Sequence, residues 1–203
     1  MTQGSLVFHG DSITRGFGVP VGSDYPAQTI SILGIEKYSW LNYGVDGQTM
    51  LQMIANAPAL VDPQFAAGYR YKLTAFAGTN DIALSGVTGT VAYNRNVTYG
   101  TARKGVGWKL ILIDMLPRNQ SGFEAERTTF NGLLAADFPT NVSSIFYTGG
   151  AYADVLIRIS LDTDMGQAGD ELDLTWYSDG IHPTAAGDAK IAAYVAAAQA
   201  LIP

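Results

Sequence analysis

The chain has 203 residues, 47% of them hydrophobic and only 15% charged, with a net charge of −6 at pH 7; this length fits one domain, residues 1–203, able to bury a substantial core. The acidic balance argues against an electrostatic grip on nucleic acid or anionic lipid. The absence of cysteine excludes disulfides, thiolate catalysis and Cys-ligated zinc, and with only His9 and His182 present a His-rich metal site is not expected either.

In chain order, Met1–Ser5 carries no basic region and no long apolar segment, so no signal peptide is visible, and no later stretch is long enough to span a bilayer. The compartment and the oligomeric state are not readable. Leu6-Val7-Phe8 reads as a buried strand that breaks at Gly10-Asp11-Ser12. After the turn Gly16-Phe17-Gly18, a helix is predicted from about Tyr25 to Leu33, with Asp24 as N-cap and Pro26 in its first turn. Tyr38–Tyr43 reads as a second strand, ending at Gly44-Val45-Asp46-Gly47-Gln48-Thr49, and Thr49 to about Ala57 as a helix. Lys72–Ala77 is a third strand, closing on Gly78-Thr79-Asn80-Asp81. A polar loop and a helix follow between Ile82 and about Arg103. Lys109–Met115 is a near-continuous apolar run, which suits a parallel strand covered on both faces. Phe123–Ala136 is predicted helical, Ser144–Tyr147 a fifth strand, and Ala151–Gly169 irregular. Trp176–Thr184 reads as a loop leading into an Ala-rich helix from Ala185 to about Leu201. Alternating strands and helices give an α/β fold with a mostly parallel, five-stranded sheet. Right-handed crossovers would put the strand-end turns on one edge of it.

Those turns carry the residues able to do chemistry. A serine after a buried strand lies where open α/β sheets place their ligands, although Ser12 also fits the N-cap of a following helix. A nucleophilic serine needs a base, usually a neutral imidazole, and the base needs an acceptor that holds its tautomer. Asp179 lies three residues before His182, so one turn of the loop would face both side chains the same way. Pro183 biases His182 toward an extended backbone that presents its ring. Each feature has a plainer reading: a solvated His182, an Asp179-Gly180 turn, a Gly47 that only closes a turn, an Asn80-Asp81 cap. Their occurrence in this order at successive strand ends is harder to ascribe to capping.

In these blocks the chain resembles the SGNH hydrolases, or GDSL-type esterases. Gly10-Asp11-Ser12-Ile13-Thr14 is similar to the nucleophile motif, and Gly47 in Gly44–Thr49 to the oxyanion glycine. Gly78-Thr79-Asn80-Asp81 is similar to the Gly-x-Asn-Asp motif with its oxyanion asparagine, and Asp179-Gly180-Ile181-His182 to the Asp-x-x-His pair. The resemblance implies a flavodoxin-like three-layer α/β/α sandwich and ester hydrolysis without metal or cofactor. It implies Ser12 as nucleophile, His182 as base and Asp179 as its orienting acid. The Ser12 N–H, the Gly47 N–H and the Asn80 side-chain amide would make the oxyanion hole.

Other motifs speak against rivals. There is no Gly-x-Ser-x-Gly elbow and no phosphate-binding P-loop, and Gly16, Gly18 and Gly22 miss the dinucleotide fingerprint spacing. His9, inside the first strand, reads as structural. Arg15 and Gln48 would flank the pocket without catalysing, and Trp176 and Tyr177 would wall it or join the core. Short inter-block segments leave little material for a large lid. The expected substrate is therefore a short-acyl ester on a small molecule or carbohydrate, such as a sugar acetate. A non-catalytic binding module of the same fold is the alternative, as are thioesters, lysophospholipids or acyl transfer within the enzyme reading.

Overall fold

The computed structural model describes residues 4–34, 38–65 and 70–202. Strand β1 (Gly4–Gly10) leads through the one-turn helix α1 (Ser12–Arg15) to α2 (Tyr25–Leu33). Then come β2 (Tyr38–Gly44), α3 (Met50–Leu60), β3 (Arg70–Phe76), α4 (Thr79–Ala83) and α5 (Gly89–Val106). The second half runs β4 (Lys109–Ile113), α6 (Phe123–Ala136), β5 (Thr140–Asn141), β6 (Phe146–Thr148), β7 (Val155–Ile157) and α7 (Ala185–Gln199). Among the described residues no helix is long and apolar enough to cross a membrane.

The strands form one sheet in the order β2-β1-β3-β4-β7-β6-β5. The first five of that order are parallel, and β6 and β5 extend the edge antiparallel. The sheet is thus mostly parallel, as the alternation of elements implies, but among the described residues it has seven strands rather than five. The fifth parallel strand is β7, inside the stretch read as irregular. The segment read as the fifth strand shifts to Phe146–Thr148 and runs antiparallel against β7.

Strand side chains alternate between two faces, and here both faces are covered. Val7, Leu73, Leu110, Leu112 and Leu156 pack with Met50 and Met53 of α3, Tyr99 of α5 and Phe130 of α6. Leu6, Phe8, Ile111, Ile113, Val155 and Ile157 pack with Tyr25 and Ile30 of α2 and Ile191 and Val195 of α7. This two-sided burial is why the strands read as continuous apolar runs. Each such side chain, fully buried, contributes about 1.5–3 kcal/mol.

The helices begin where side chains can satisfy their free N–H groups. Asp24 caps α2 through Ala27 N at 3.0 Å. Thr49 and Gln52 form a reciprocal capping box on α3, and Thr184 caps α7. Parallel strands place all their carboxyl ends on one edge, and the register levels Gly10, Gly44 and Phe76 there. The chain leaves β1 first toward β2 on one side and later returns to β3 on the other. The crevice beside β1 is therefore the topological switch point, where open α/β sheets bind ligands.

Candidate active site

Ser12 is the first residue of α1, and the cap is Asp11, whose carboxylate accepts from Ile13 N at 3.0 Å. Burial pushes the Asp11 carboxyl up to about 7, with the Ile13 N–H and the Arg118 charge opposing and the Asp81 charge adding. The tightness of this turn rests on close approach: a Cβ on Gly10 would lie 2.1 Å from Thr14 Oγ1 and 2.4 Å from Phe76 O. Only glycine lets α1 fold back onto the strand ends.

The loop before α7 is closed at its base. Ser178 N donates to His182 O at 2.9 Å, Thr184 N to Trp176 O at 2.8 Å, and Tyr177 pairs with Pro183. Tyr177 is buried, its hydroxyl donating to Met165 O at 2.5 Å. Trp176 stacks under Lys190, with Nζ 4.7 Å from the ring centroid. Both rings therefore serve the scaffold. Asp179 Oδ1 accepts from Ile181 N at 3.0 Å and His182 N at 2.8 Å, an Asx turn. Its other oxygen, Oδ2, meets His182 Nδ1 at 2.7 Å. His182 Nε2 lies 2.9 Å from Ser12 Oγ, across 170 residues of chain. Burial raises the Asp179 pKa, but the ring and backbone N–H groups of His182 and the Ile181 N–H outweigh it, so the carboxyl sits below its ordinary value. An ionised carboxylate only accepts, so Nδ1 carries the ring proton and Nε2 is the acceptor for the Ser12 hydroxyl.

Val45 N donates to Gly10 O and Gln48 N to Val45 O, both at 3.1 Å, which turns the chain after β2 across the end of β1. Gly47 holds φ at 70°, the left-handed region, and a Cβ there would meet only Leu84 Cδ1, at 3.8 Å. Within the protein the backbone conformation, rather than crowding, is what favours glycine. Asn80 Nδ2 donates one proton to Gln48 O at 3.1 Å, and Arg118 Nη1 donates to Asn80 Oδ1 at 3.3 Å, which fixes the orientation of the amide. Asp81 lies beneath, accepting from Met50 N at 2.6 Å and Arg95 Nη1 at 2.7 Å. It anchors the start of α3, not that of α4.

A cavity of about 180 Å³ is lined by Ser12, His182, Gly47 and Asn80, together with Phe17, Asp46, Thr79, Arg118 and Ile181. Neither the Ser12 nor the Gly47 N–H finds a protein acceptor among the described residues. Two lining residues were not foreseen. The Phe17 ring stacks on His182, with centroids 4.4 Å apart at 35°; its signal was an aromatic between two turn glycines. Arg118 follows Pro117 just beyond β4. Burial lowers its pKa and the Asp11 and Asp179 charges raise it, the net direction being down. Arg15 pairs with Asp46 and sits over Phe17 at 5.5 Å, at the rim. His9 faces the other way, its Nδ1 2.8 Å from Tyr99 OH. Burial and the Arg103 charge push it down to about 4, against a contact with Asn56. Among the described residues no group of three or more acidic or imidazole side chains could hold a metal ion.

The arrangement can deliver an alcohol with its proton already directed at a base, beside unpaired N–H donors. Comparison with known proteins bears on that chemistry. The model of the GDSL-like lipase/acylhydrolase family matches residues 8–190. Among curated proteins, sequence comparison finds no match. A lipolytic G-D-S-L protein from Veillonella parvula superposes with TM-score 0.71 at 22% identity, covering 95% of this chain and 96% of that one. A lipolytic protein of the same family from Desulfitobacterium hafniense gives TM-score 0.71 at 16% identity over 95% and 98%. A Geobacillus acetyl-xylooligosaccharide esterase gives 0.65 at 14% identity over 98% and 94%.

Proposed function

The chain belongs to the GDSL-like lipase/acylhydrolase family, an ester-bond hydrolase, and on that premise we propose that it is a serine esterase acting through Ser12, His182 and Asp179. The observation that carries this reading is the continuous hydrogen-bonded series Ser12 Oγ–His182 Nε2 and His182 Nδ1–Asp179 Oδ2, at 2.9 and 2.7 Å.

Ser12 Oγ attacks the ester carbonyl carbon while His182 Nε2 takes its proton, and the carbonyl π pair moves onto oxygen. The resulting oxyanion is met by the Ser12 N–H, the Gly47 N–H and the free Asn80 amide proton. Donors already in place stabilise it without reorganisation. The imidazolium, steadied by Asp179, returns its proton to the departing alkoxide. Water then attacks the acyl-enzyme with His182 again as base, and collapse releases the acid and restores Ser12. The small cavity around Ser12 favours a short acyl group. The acetyl-xylooligosaccharide esterase among the structural neighbours supports a sugar acetate as one form of such a substrate.

Ser12→Ala is expected to abolish release of p-nitrophenol from p-nitrophenyl acetate while leaving the circular dichroism spectrum unchanged; retained turnover refutes the assignment. A serine-directed phosphonate should label Ser12, whereas a non-catalytic binding module would stay unlabelled. Because the base must be unprotonated, kcat/KM should rise with pH as the imidazole loses its proton. Asp179, held below the usual carboxylate range, stays ionised throughout, so only one acid limb is expected. A kcat/KM that does not change with pH counts against His182 as base. A series of alkanoate esters should lose kcat/KM as the acyl chain lengthens.

A further inference from the structure

Helix α1 is a single turn of four residues, too short to hold its own orientation. That orientation decides where part of the proposed oxyanion hole points. The Ser12 N–H rides on α1, whereas the Gly47 N–H rides on the turn after β2. The two donors thus leave from the ends of different strands, and their spacing depends on whatever ties those ends together.

Asn42, near the end of β2, makes such a tie. Its Nδ2 donates to Thr14 O at 2.8 Å, and its Oδ1 accepts from Gly44 N at 2.9 Å. One end of the carboxamide is therefore spent on the nucleophile helix, and the other on the start of the turn that carries Gly47. We propose that Asn42 is a positioning residue for the oxyanion hole, a staple that sets the distance between the Ser12 and Gly47 N–H groups. The inference rests on the esterase reading and adds to it a residue that touches no reacting atom.

The surroundings show why a carboxamide serves here. Asn42 and Gly44 are two residues apart on one strand, so they share a face. Helix α1 comes down on that face: a Cβ on Gly44 would lie 2.2 Å from Arg15 N and 2.7 Å from Thr14 C. Gly44 admits the helix and Asn42 grips it. Thr14 O belongs to the terminal carbonyls that a helix leaves without an internal partner, and no backbone N–H among the described residues reaches it. An apolar side chain at position 42 would leave that carbonyl and the Gly44 N–H without their partner, at a contact where Thr14 is buried.

Two other contacts bear on the same spacing, and neither replaces Asn42. Val45 N donates to Gly10 O at 3.1 Å, which holds the turn to β1 but not to α1. Arg15 and Asp46 form an ion pair whose side chains are both about half exposed, and such pairs contribute little in water. A displacement of about 1 Å in a catalytic geometry can cost about 10²-fold in rate. Loosening α1 is therefore expected to register in catalysis even where the fold is kept.

The test uses Asn42→Leu, which removes both hydrogen bonds, and Asn42→Asp, which keeps only the acceptor. It measures kcat/KM for p-nitrophenyl acetate and the Ki of trifluoroacetone. Ser12 Oγ adds to the carbonyl carbon of that ketone while its proton passes to His182. The carbonyl π pair moves onto oxygen, giving an oxyanion held by the same N–H groups. Both variants should lose about tenfold or more in kcat/KM, with Ki rising by a similar factor. In Asn42→Leu the acid limb of the pH profile should keep its wild-type midpoint, because Ser12, His182 and Asp179 retain their contacts. A smaller folded fraction would lower kcat and leave Ki unchanged, so that result overturns the inference. A displaced acid limb in Asn42→Leu also overturns it, by moving the effect onto His182, as does wild-type behaviour in both variants. If the wild type neither hydrolyses p-nitrophenyl acetate nor is inhibited by the ketone, the esterase reading itself fails. If it does both and the variants match it, only the role given to Asn42 fails.

Discussion

Arg118 reaches Asn80 Oδ1 at 3.3 Å while Asn80 Nδ2 is tied to Gln48 O at 3.1 Å. One amide is thus clamped at both ends, with a single proton left for the proposed oxyanion. A cation on the carbonyl oxygen also polarises the N–H bond outward. Asn80→Ala should therefore cost about 2.7–4 kcal/mol of transition-state stabilisation, a loss of about 10²–10³ in kcat. Arg118→Met should cost about tenfold, in kcat rather than KM, since a positioning residue acts through the amide. In the double variant the second loss should nearly vanish, because coupled residues are not additive. Additive losses would mean that Arg118 works independently of Asn80. The five residues of the proposed machinery each sit in a short motif that carries the family resemblance, and at three of them the local backbone also favours the letter: a glycine at φ 70°, an aspartate closing an Asx turn, a serine at the start of a helix. Phe17 and Arg118 belong to no such motif. Their nearness to His182 and Asn80 comes from loops meeting, which no local pattern encodes.

Helices α2 and α7 pack together with their N-termini side by side, Gln28 Nε2 donating to Ala185 O at 3.1 Å. This brings two carboxylates close. Asp24 is satisfied as the α2 cap, but Asp188 in the first turn of α7 is buried and its Oδ1 has no partner among the described residues. Burial, and then the charge of Asp24, push the Asp188 carboxyl from 3.8 up to about 8. The folded state therefore holds a proton that the unfolded chain gives up near pH 4, and stability falls as pH rises from about 4 to about 8. Asp188→Asn removes that dependence. Its melting temperature should match the wild type at pH 4 and exceed it by a growing margin up to pH 8; an equal offset at every pH would contradict the assignment. Both helices were readable, α2 from its Asp24 cap and first-turn Pro26 with its bounds intact, α7 from the Ala-rich run after the loop that ends at Thr184. β7 was not. Val155-Leu156-Ile157 is three residues long and becomes a strand only because β4 flanks it on one side and β6 on the other.

A single sheet serves two cores, one on each face, and on that ground we propose that the described residues form one folding unit. Ile111 and Leu112 are adjacent in β4, yet the first belongs to the α2/α7 layer and the second to the α3/α5/α6 layer. If the unit is cooperative, Ile111→Ala and Leu112→Ala should each cost about 2–5 kcal/mol. Both variants should still unfold in one transition, coincident by fluorescence and far-UV circular dichroism. Loss of only one layer's signal in either variant would divide the molecule in two. The chain's own letters were enough for the class of fold, the longer helices but not the short α1 and α4, and the four turns where chemistry could reside, since periodicity, capping and tight turns act over a few residues. The seven-strand order, the antiparallel edge, the approach of His182 to Ser12 across 170 residues and the cavity beside Gly47 were decided by tertiary packing. Those features arise from which apolar faces find each other, and the free energy of that choice is spread over the whole sheet.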